Sequence, residues 1–374
     1  MEEDYEEYCR AYWEDKFERY AEEIMDGIRE EIYRDCFKPL DRFQEQESRW
    51  VIPGWLPEEQ ITLLAADGGT GKTSLWVNIL AALSSGGRCL LDPPGYRREP
   101  VQTAFFPTED RVRKKLRRKL REAGAEAKNI LTMDLSGDKE GALREFKFGS
   151  PMLAECIRRY RPALCVFDPI QGFIPPKVNM GSRNEMRDCL APLMALGEET
   201  GTSFLLICHT NKRKGAWGRE RISDSADLWD AARSVWMAGY TEEQDIRYLS
   251  QEKNSYDALR ETLLFTIGRD GQVQEEGRTW KRDREFMQSR ERERTAAKRE
   301  DCKEWILRQL EEKGEMGLGE LEKAAEAAGY SYGTYRRAKE ILVKQEKAAR
   351  TWSTGYGEEK RWMIAHASPS GTSK

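Results

Sequence analysis

Ala66-Asp67-Gly68-Gly69-Thr70-Gly71-Lys72-Thr73 is the stretch whose residue types and spacing specify chemistry most directly. Glycines let the backbone curl around an anion. Successive N–H groups and a helix N-terminus then form a cradle for the β- and γ-phosphates of a nucleotide. Lys72 adds a cation on those phosphates, and the Thr73 hydroxyl is a ligand for Mg2+. Asp67, Gly68, Gly69, Thr70, Gly71 and Ser74 complete the set expected around bound ATP. The first position of the usual G-x-x-x-x-G-K-[ST] pattern is Ala66, where a small side chain is the main requirement.

A second carboxylate belongs to the same chemistry. Asp168 ends the apolar run Leu164-Cys165-Val166-Phe167, the Walker B arrangement, which places an acid beside a phosphate loop to hold Mg2+ through water. Hydrolysis also needs a group that activates or orients water. Pro169 follows Asp168 directly, so that group must come from elsewhere, and Glu109 is the candidate. It follows the strand-like run 101–106 in Phe106-Pro107-Thr108-Glu109-Asp110. Its bland alternative, capping the next helix, suits Asp110 better.

These groups need a scaffold that brings strand ends together. Strand-like runs at 60–66, 101–106, 163–167 and 203–208 alternate with helical patterns at 74–84, 110–123, 151–160 and 183–200. Such alternation predicts an α/β fold with a mainly parallel sheet between helices. Runs at 232–239, 245–252 and 261–267 are spaced closely enough to be antiparallel additions at the sheet edge.

The flanks differ in character. Residues 2–37 form an acidic amphipathic pattern with Phe17, Tyr20, Ile24, Ile28 and Ile32 at helical spacing. That helix either packs on its own domain or binds a protein partner; periodicity does not say which. Residues 1–48 hold 17 acidic and 7 basic side chains, a net of −10. The whole chain carries −4, so the remainder is +6, a balance that permits nucleic-acid contact without requiring it. Residues 281–300 are rich in charged side chains and read as a solvated helical linker. Beyond them the pattern is helix (300–313), helix (317–328), Gly329, helix (331–345) and two short strands around 353–357. The expected divisions are therefore 1–45, 46–280, 281–299, 300–366 and a tail, 367–374.

No apolar run is long enough to span a bilayer and no signal segment opens the chain, so a cytoplasmic protein without membrane contact is expected. Eight cysteines form no C-x-x-C pair, and several sit in strand-like runs as small buried hydrophobes. With His209 and His366 as its two histidines, the chain offers no histidine-rich metal centre.

The order of motifs resembles the RepA-like branch of the RecA superfamily, the hexameric plasmid and phage helicases and their relatives on mobile elements. The residues that carry the resemblance run from the phosphate loop through Glu109 and Asp168 to His209-Thr210-Asn211-Lys212. They continue through 223–235, including Asp230-Ala231-Ala232-Arg233-Ser234-Val235, to Lys253-Asn254. It covers roughly 46–280, and Asp224 departs from it where relatives often carry Gly. The resemblance implies that Glu109 is the catalytic carboxylate and His209 a sensor of the γ-phosphate. Arg233 would be an arginine finger reaching a neighbour's nucleotide, and Lys253 joins the ATP-binding set. Plain structural roles remain the alternative for His209 and Arg233.

The same resemblance extends to a C-terminal winged helix. Ser331 is the expected N-cap of its recognition helix, on which Arg336, Arg337 and Lys339 face DNA and Tyr332 or Tyr335 stack. Winged helices also dock proteins. The basic run within 110–123 reads first as a solvated helix face. Together these features imply a Mg2+-dependent ATPase working as a homo-hexameric helicase on single-stranded DNA, with duplex DNA a further target of the winged helix. The alternatives are an ATP-switch DNA-binding regulator or helicase loader, and an adaptor in which nucleotide is only structural.

Overall fold

The structure, a computed structural model, describes residues 38–367 except 46, 109–111, 134–145, 212–215, 223–225 and 244, together with Lys16, Glu22 and residues 24–26. Several expectations therefore lie outside the described residues: Glu109, Asp110, Lys212, Asp224, most of the helix at 2–37 and nearly all of the tail. The chain divides into Met1–Ser48 and Arg49–Lys374. In the first unit the described residues 16, 22 and 24–26 are helical, and Leu40–Arg42 form a single 3-10 turn after Pro39.

The second unit opens with a short antiparallel pair, β1 (Trp50–Ile52) and β2 (Leu56–Pro57). The strands that follow are β3 (Ile61–Ala66), β4 (Thr103–Pro107), β5 (Ile130–Thr132), β6 (Leu164–Asp168), β7 (Ser203–His209), β8 (Ser234–Tyr240), β9 (Arg247–Asn254), β10 (Thr262–Ile267) and β11 (Val273–Thr279). They form one sheet in the order β11-β10-β9-β8-β3-β7-β6-β4-β5. From β5 to β8 every pairing is parallel, and from β8 to β11 every pairing is antiparallel. The fold is of the mainly parallel α/β class expected from the alternation.

The parallel strands are apolar on both faces because both faces are covered. All six residues of β3 are buried. Ile61, Leu63 and Ala65 join one core with Phe204, Leu206, Cys165 and Phe167, while Leu64 and Ala66 join the other with Leu205, Ile207 and Val166. Helices α1 (Lys72–Ser85), α2 (Arg117–Glu122), α3 (Pro151–Tyr160), α4 (Arg183–Thr200) and α5 (Ala226–Ala231) supply the covering layers. α1 is buried nearly all round, from Leu75 through Leu83, so it has no polar face to show. α2 follows a π-helical turn at Val112–Leu116; the turn buries Leu116, and α2 buries Leu120 and exposes Arg117, Arg118 and Arg121. On α4, Gly197 lies so close to Glu59 that a Cβ would come within 2.5 Å of the Glu59 carbonyl oxygen.

One expectation fails. The run at 232–239 is not an antiparallel addition: β8 pairs in parallel with β3, from Thr62 opposite Ser234 to Ala66 opposite Ala238. The connection from β7 through 210–233 contains α5 and is long enough for a crossover, whereas 241–246 permits only a hairpin into β9. β11 escaped the sequence reading because it is polar, with Gln274, Glu275 and Glu276 exposed on an edge strand.

Helix α6 (Asp283–Lys313) spans the charged stretch and continues into the C-terminal unit. Its first turn is not a solvated linker, since Asp283 and Phe286 are buried and the Phe286 ring stacks on Tyr248 at 4.2 Å. Beyond it come β12 (Glu315–Gly317), α7 (Leu318–Ala327), α8 (Tyr332–Glu340), β13 (Ala349–Thr354) and β14 (Arg361–His366). The three strands form an antiparallel sheet in the order β12-β14-β13, and Cys302, Ile306, Leu310, Leu321, Tyr335, Leu342 and Ile364 share one core. This arrangement is compatible with the expected winged helix. Ser331 caps α8 as its position predicts, accepting from the Thr334 N–H at 3.3 Å.

Candidate active site at the carboxyl edge of the sheet

The phosphate loop leaves the end of β3, and its conformation explains which glycines it needs. Gly69 and Gly71 adopt φ of +80° and +96°, the region that L side chains avoid. A Cβ on Gly71 would also sit 2.2 Å from Ile267 Cδ1 of β10. Ala66, by contrast, is the last residue of β3, in ordinary strand conformation, so a methyl group there costs the loop nothing. Gly71 is also the N-cap of α1, with no side chain capping the helix and no acid in its first turn. The N–H groups and the positive end of the helix dipole therefore face the loop without an internal anion to neutralise them.

Lys72 bends back over this loop. Its ammonium donates to the carbonyls of Ala66 (2.8 Å) and Asp67 (3.0 Å) and lies 3.2 Å from His209 Nδ1. Parallel pairing of β3 with β7 brings Ala66 level with His209, which is how a residue 137 positions away reaches Lys72. Thr73 is half-buried one residue into α1, and Ser74 is buried behind it. The loop is closed on itself by the Thr70 hydroxyl, which donates to the Asp67 carbonyl at 2.8 Å.

Asp168 stands at the end of β6 on the same edge. Its Oδ2 accepts from the Trp76 indole N–H at 2.7 Å, so a helix residue one turn beyond Lys72 orients this carboxylate. Pro107 pairs with Asp168, and the Thr108 N–H donates to the Asp168 carbonyl at 3.0 Å. Glu109 follows Thr108 directly but lies outside the described residues.

Further groups on this edge were not singled out by the sequence reading. Thr210 Oγ donates to one Asp67 carboxylate oxygen, and Arg221 NH2 lies 3.3 Å from the other. The Tyr240 hydroxyl, at the end of β8, donates to the Gly69 carbonyl at 2.8 Å. Trp76 was legible in part, since a buried indole N–H requires an acceptor. The others depend on strand order, which no local pattern reveals.

Arg233 and Lys253 are elsewhere. Arg233 precedes β8, is exposed, and donates its backbone N–H to the Ile61 carbonyl at 2.8 Å. It therefore sits at the amino edge of the sheet, roughly 15 Å along the strands from the phosphate loop. Lys253 pairs with Val235 beside it, its ammonium donating to the Trp229 and Asp230 carbonyls at 3.0 Å each. Burial lowers the Lys253 pKa. Within one chain the structure does not bring Arg233 or Lys253 to Lys72.

On the C-terminal unit, Arg336 and Arg337 are exposed on α8, and Arg337 pairs with Glu340 at 2.9 Å. Lys339 is half-buried with its ammonium over the Tyr335 ring, and burial lowers its pKa. Tyr335 is 1% exposed and fills the core, so it does not stack on a ligand, whereas Tyr332 is 60% exposed. No helix among the described residues is long and apolar enough to cross a membrane, and no group of three metal-ligating side chains occurs among them.

Residues 36–215 match the family model AAA_25, described as an AAA domain. The match takes in the phosphate loop, Glu109, Asp168 and His209, and stops short of Arg233. No curated protein matches the sequence. Among solved structures, one described as an "ATPase Domain" is 14% identical, covers 67% of this chain and 97% of its own, and superposes with a TM-score of 0.47. Over residues 36–215 the chain is thus similar to the AAA domain family, and its phosphate loop, Lys72 and Asp168 stand together at the carboxyl edge of one mainly parallel sheet.

Proposed function

We propose that the protein is a Mg2+-dependent ATPase of the hexameric helicase type, coupling ATP hydrolysis to DNA binding and unwinding in the replication or maintenance of a plasmid, phage or other mobile element. The observation that carries this reading is the division of the candidate groups between two edges of one sheet. Lys72, Asp168 and His209 lie at the carboxyl edge, while Arg233 lies exposed at the amino edge, which supports a role towards the nucleotide of a neighbouring copy.

In this reading the α1 N-terminus and Lys72 hold the β- and γ-phosphates. Thr73 and Asp168 would hold Mg2+ through hard oxygen donors, and the Trp76 hydrogen bond fixes the carboxylate's orientation. The cation's contribution is to neutralise charge on the phosphates. Glu109 orients water, His209 contacts the γ-phosphate through its place beside Lys72, and Arg233 stabilises the transition state in trans. The strand order β12-β14-β13 with α6, α7 and α8 supports a winged helix, in which Arg336, Arg337 and Lys339 meet DNA phosphates. Residues 1–37 are assigned to a protein partner, and the chain to the cytoplasm.

The test is the ATPase rate with and without single-stranded DNA, together with unwinding of a forked duplex and mass by light scattering. DNA-stimulated hydrolysis, strand separation and a ring-sized mass are expected. Stimulation without strand separation would move the reading to a loader or switch. A monomer insensitive to DNA would sink it.

A further inference from the structure

Between the phosphate loop and the first turn of α6 runs a buried polar chain that the proposed chemistry does not use. Arg221 is 2% exposed and holds three partners at once. NH1 donates to Asp283 Oδ1 and lies 3.4 Å from the Tyr248 hydroxyl, while NH2 reaches Asp67 Oδ2 at 3.3 Å. The Tyr248 hydroxyl also donates to Asp283 Oδ1 at 2.7 Å, and the Gly218 N–H donates to Oδ2 at 3.1 Å. Asp283 is wholly buried and is the first residue of α6. The segment carrying Arg221 follows β7, and its two ends are joined by a bridge between Thr210 and Ile222 and by the Asn211 N–H, which donates to the Arg221 carbonyl at 2.7 Å.

Neutralising Asp283 requires Arg221, but it does not require Asp67. The reach to Asp67, which is half-buried in the phosphate loop, is what a purely structural pair would lack. We propose that Arg221 is a positioning residue that ties occupancy of the phosphate loop to the root of α6, so that nucleotide binding and the setting of that helix form one linked equilibrium. The proposal rests on the nucleotide-binding reading of the loop. A bound phosphate takes over the Lys72 ammonium, which otherwise donates to the Asp67 carbonyl, and adds negative charge beside the Asp67 carboxylate. The share of Arg221 held by Asp67 then differs between the two states, and with it the share left to Asp283. Linkage makes the effect reciprocal: a change at Asp283 alters nucleotide affinity without touching the nucleotide.

The experiment uses the full chain, with binding of a fluorescent ADP analogue and amide hydrogen exchange over 284–290 measured with and without ADP and Mg2+. In the parent protein, exchange over 284–290 should change several-fold on ADP binding. Asp283→Asn should shift analogue affinity about ten-fold and abolish that difference. Arg221→Lys should restore part of the nucleotide-dependent difference that Arg221→Met loses, a pattern that simple loss of stability does not produce. Should these buried variants fail to fold, Tyr248→Phe removes one hydroxyl and is expected to shift affinity two- to three-fold in the same direction. Unchanged affinity and an intact exchange difference in Tyr248→Phe would overturn the proposal. So would a parent protein that binds the analogue with no change over 284–290. A parent protein that does not bind the analogue at all would overturn both this proposal and the nucleotide reading beneath it.

Discussion

The two edges of the parallel sheet are built on opposite principles. At the carboxyl edge, charged groups are packed among partners: Lys72 on two carbonyls, Asp168 on Trp76, and Asp67 between Thr210 and Arg221. At the amino edge Arg233 is exposed, and Lys253 beside it is held by backbone carbonyls of α5. The first edge is held in place by the protein's own hydrogen bonds, which is the condition for electrostatic preorganisation. The second presents the Arg233 cation outward. In the proposed reading, a site divided in this way is completed when copies of the chain stand edge to edge.

The largest effect expected belongs to the organised edge. Lys72→Ala should leave no measurable ATP hydrolysis by phosphate release, and residual turnover near the parent rate would remove the phosphate loop from the chemistry. Next comes the opposite edge. Arg233→Ala should bind nucleotide at parent affinity and hydrolyse it on the order of 10³-fold more slowly, and mixing it with Lys72→Ala subunits should restore part of the activity. No rescue in the mixture, with a monomeric mass, would collapse the contrast between edges and return Arg233 to an ordinary surface side chain. Glu109→Gln should keep nucleotide binding while hydrolysis falls about 10²- to 10³-fold; a parent rate would place the water-orienting group elsewhere.

Smaller changes sharpen the picture. Trp76→Phe keeps the buried ring but removes the donor to Asp168. It should raise the Mg2+ concentration needed for half-maximal hydrolysis a few-fold and cost about 1 kcal/mol in stability by denaturant melts. An unchanged Mg2+ dependence would separate Asp168 from the cation. The smallest effect concerns the C-terminal unit: Arg336→Ala should weaken DNA binding a few-fold and reduce the salt slope of log affinity by about 1. An identical salt slope would favour protein docking by that unit.

Much of this was legible because the parallel strands are continuous apolar runs and the phosphate loop has a residue signature. β3, β6 and β7 are buried on both faces, and their patterns carry that information locally. The direction of β8 did not show, since it depends on a crossover through α5, a helix of six residues too short to register as a period. Trp76 with Asp168 and Arg221 with Asp67 join positions 92 and 154 residues apart, pairings set by strand order. Tyr335 misled for a different reason. Its aromatic ring and basic neighbours suggest a ligand surface, yet with Ala338 it forms the buried stripe of its helix. The charged run at 281–300 concealed Asp283 and Phe286, two buried side chains that anchor its start.

Helix α6 runs unbroken for 31 residues from that anchor. At 1.5 Å per residue it is about 46 Å long, so a tilt of about 5° at Asp283 carries its far end through about 4 Å. Such a rod converts an adjustment too small to disturb the sheet into a displacement the size of a side chain. The stiffness of the helix over its exposed middle, residues 291–298, therefore sets how faithfully motion at one end is delivered to the other, and a glycine pair there would act as a clutch.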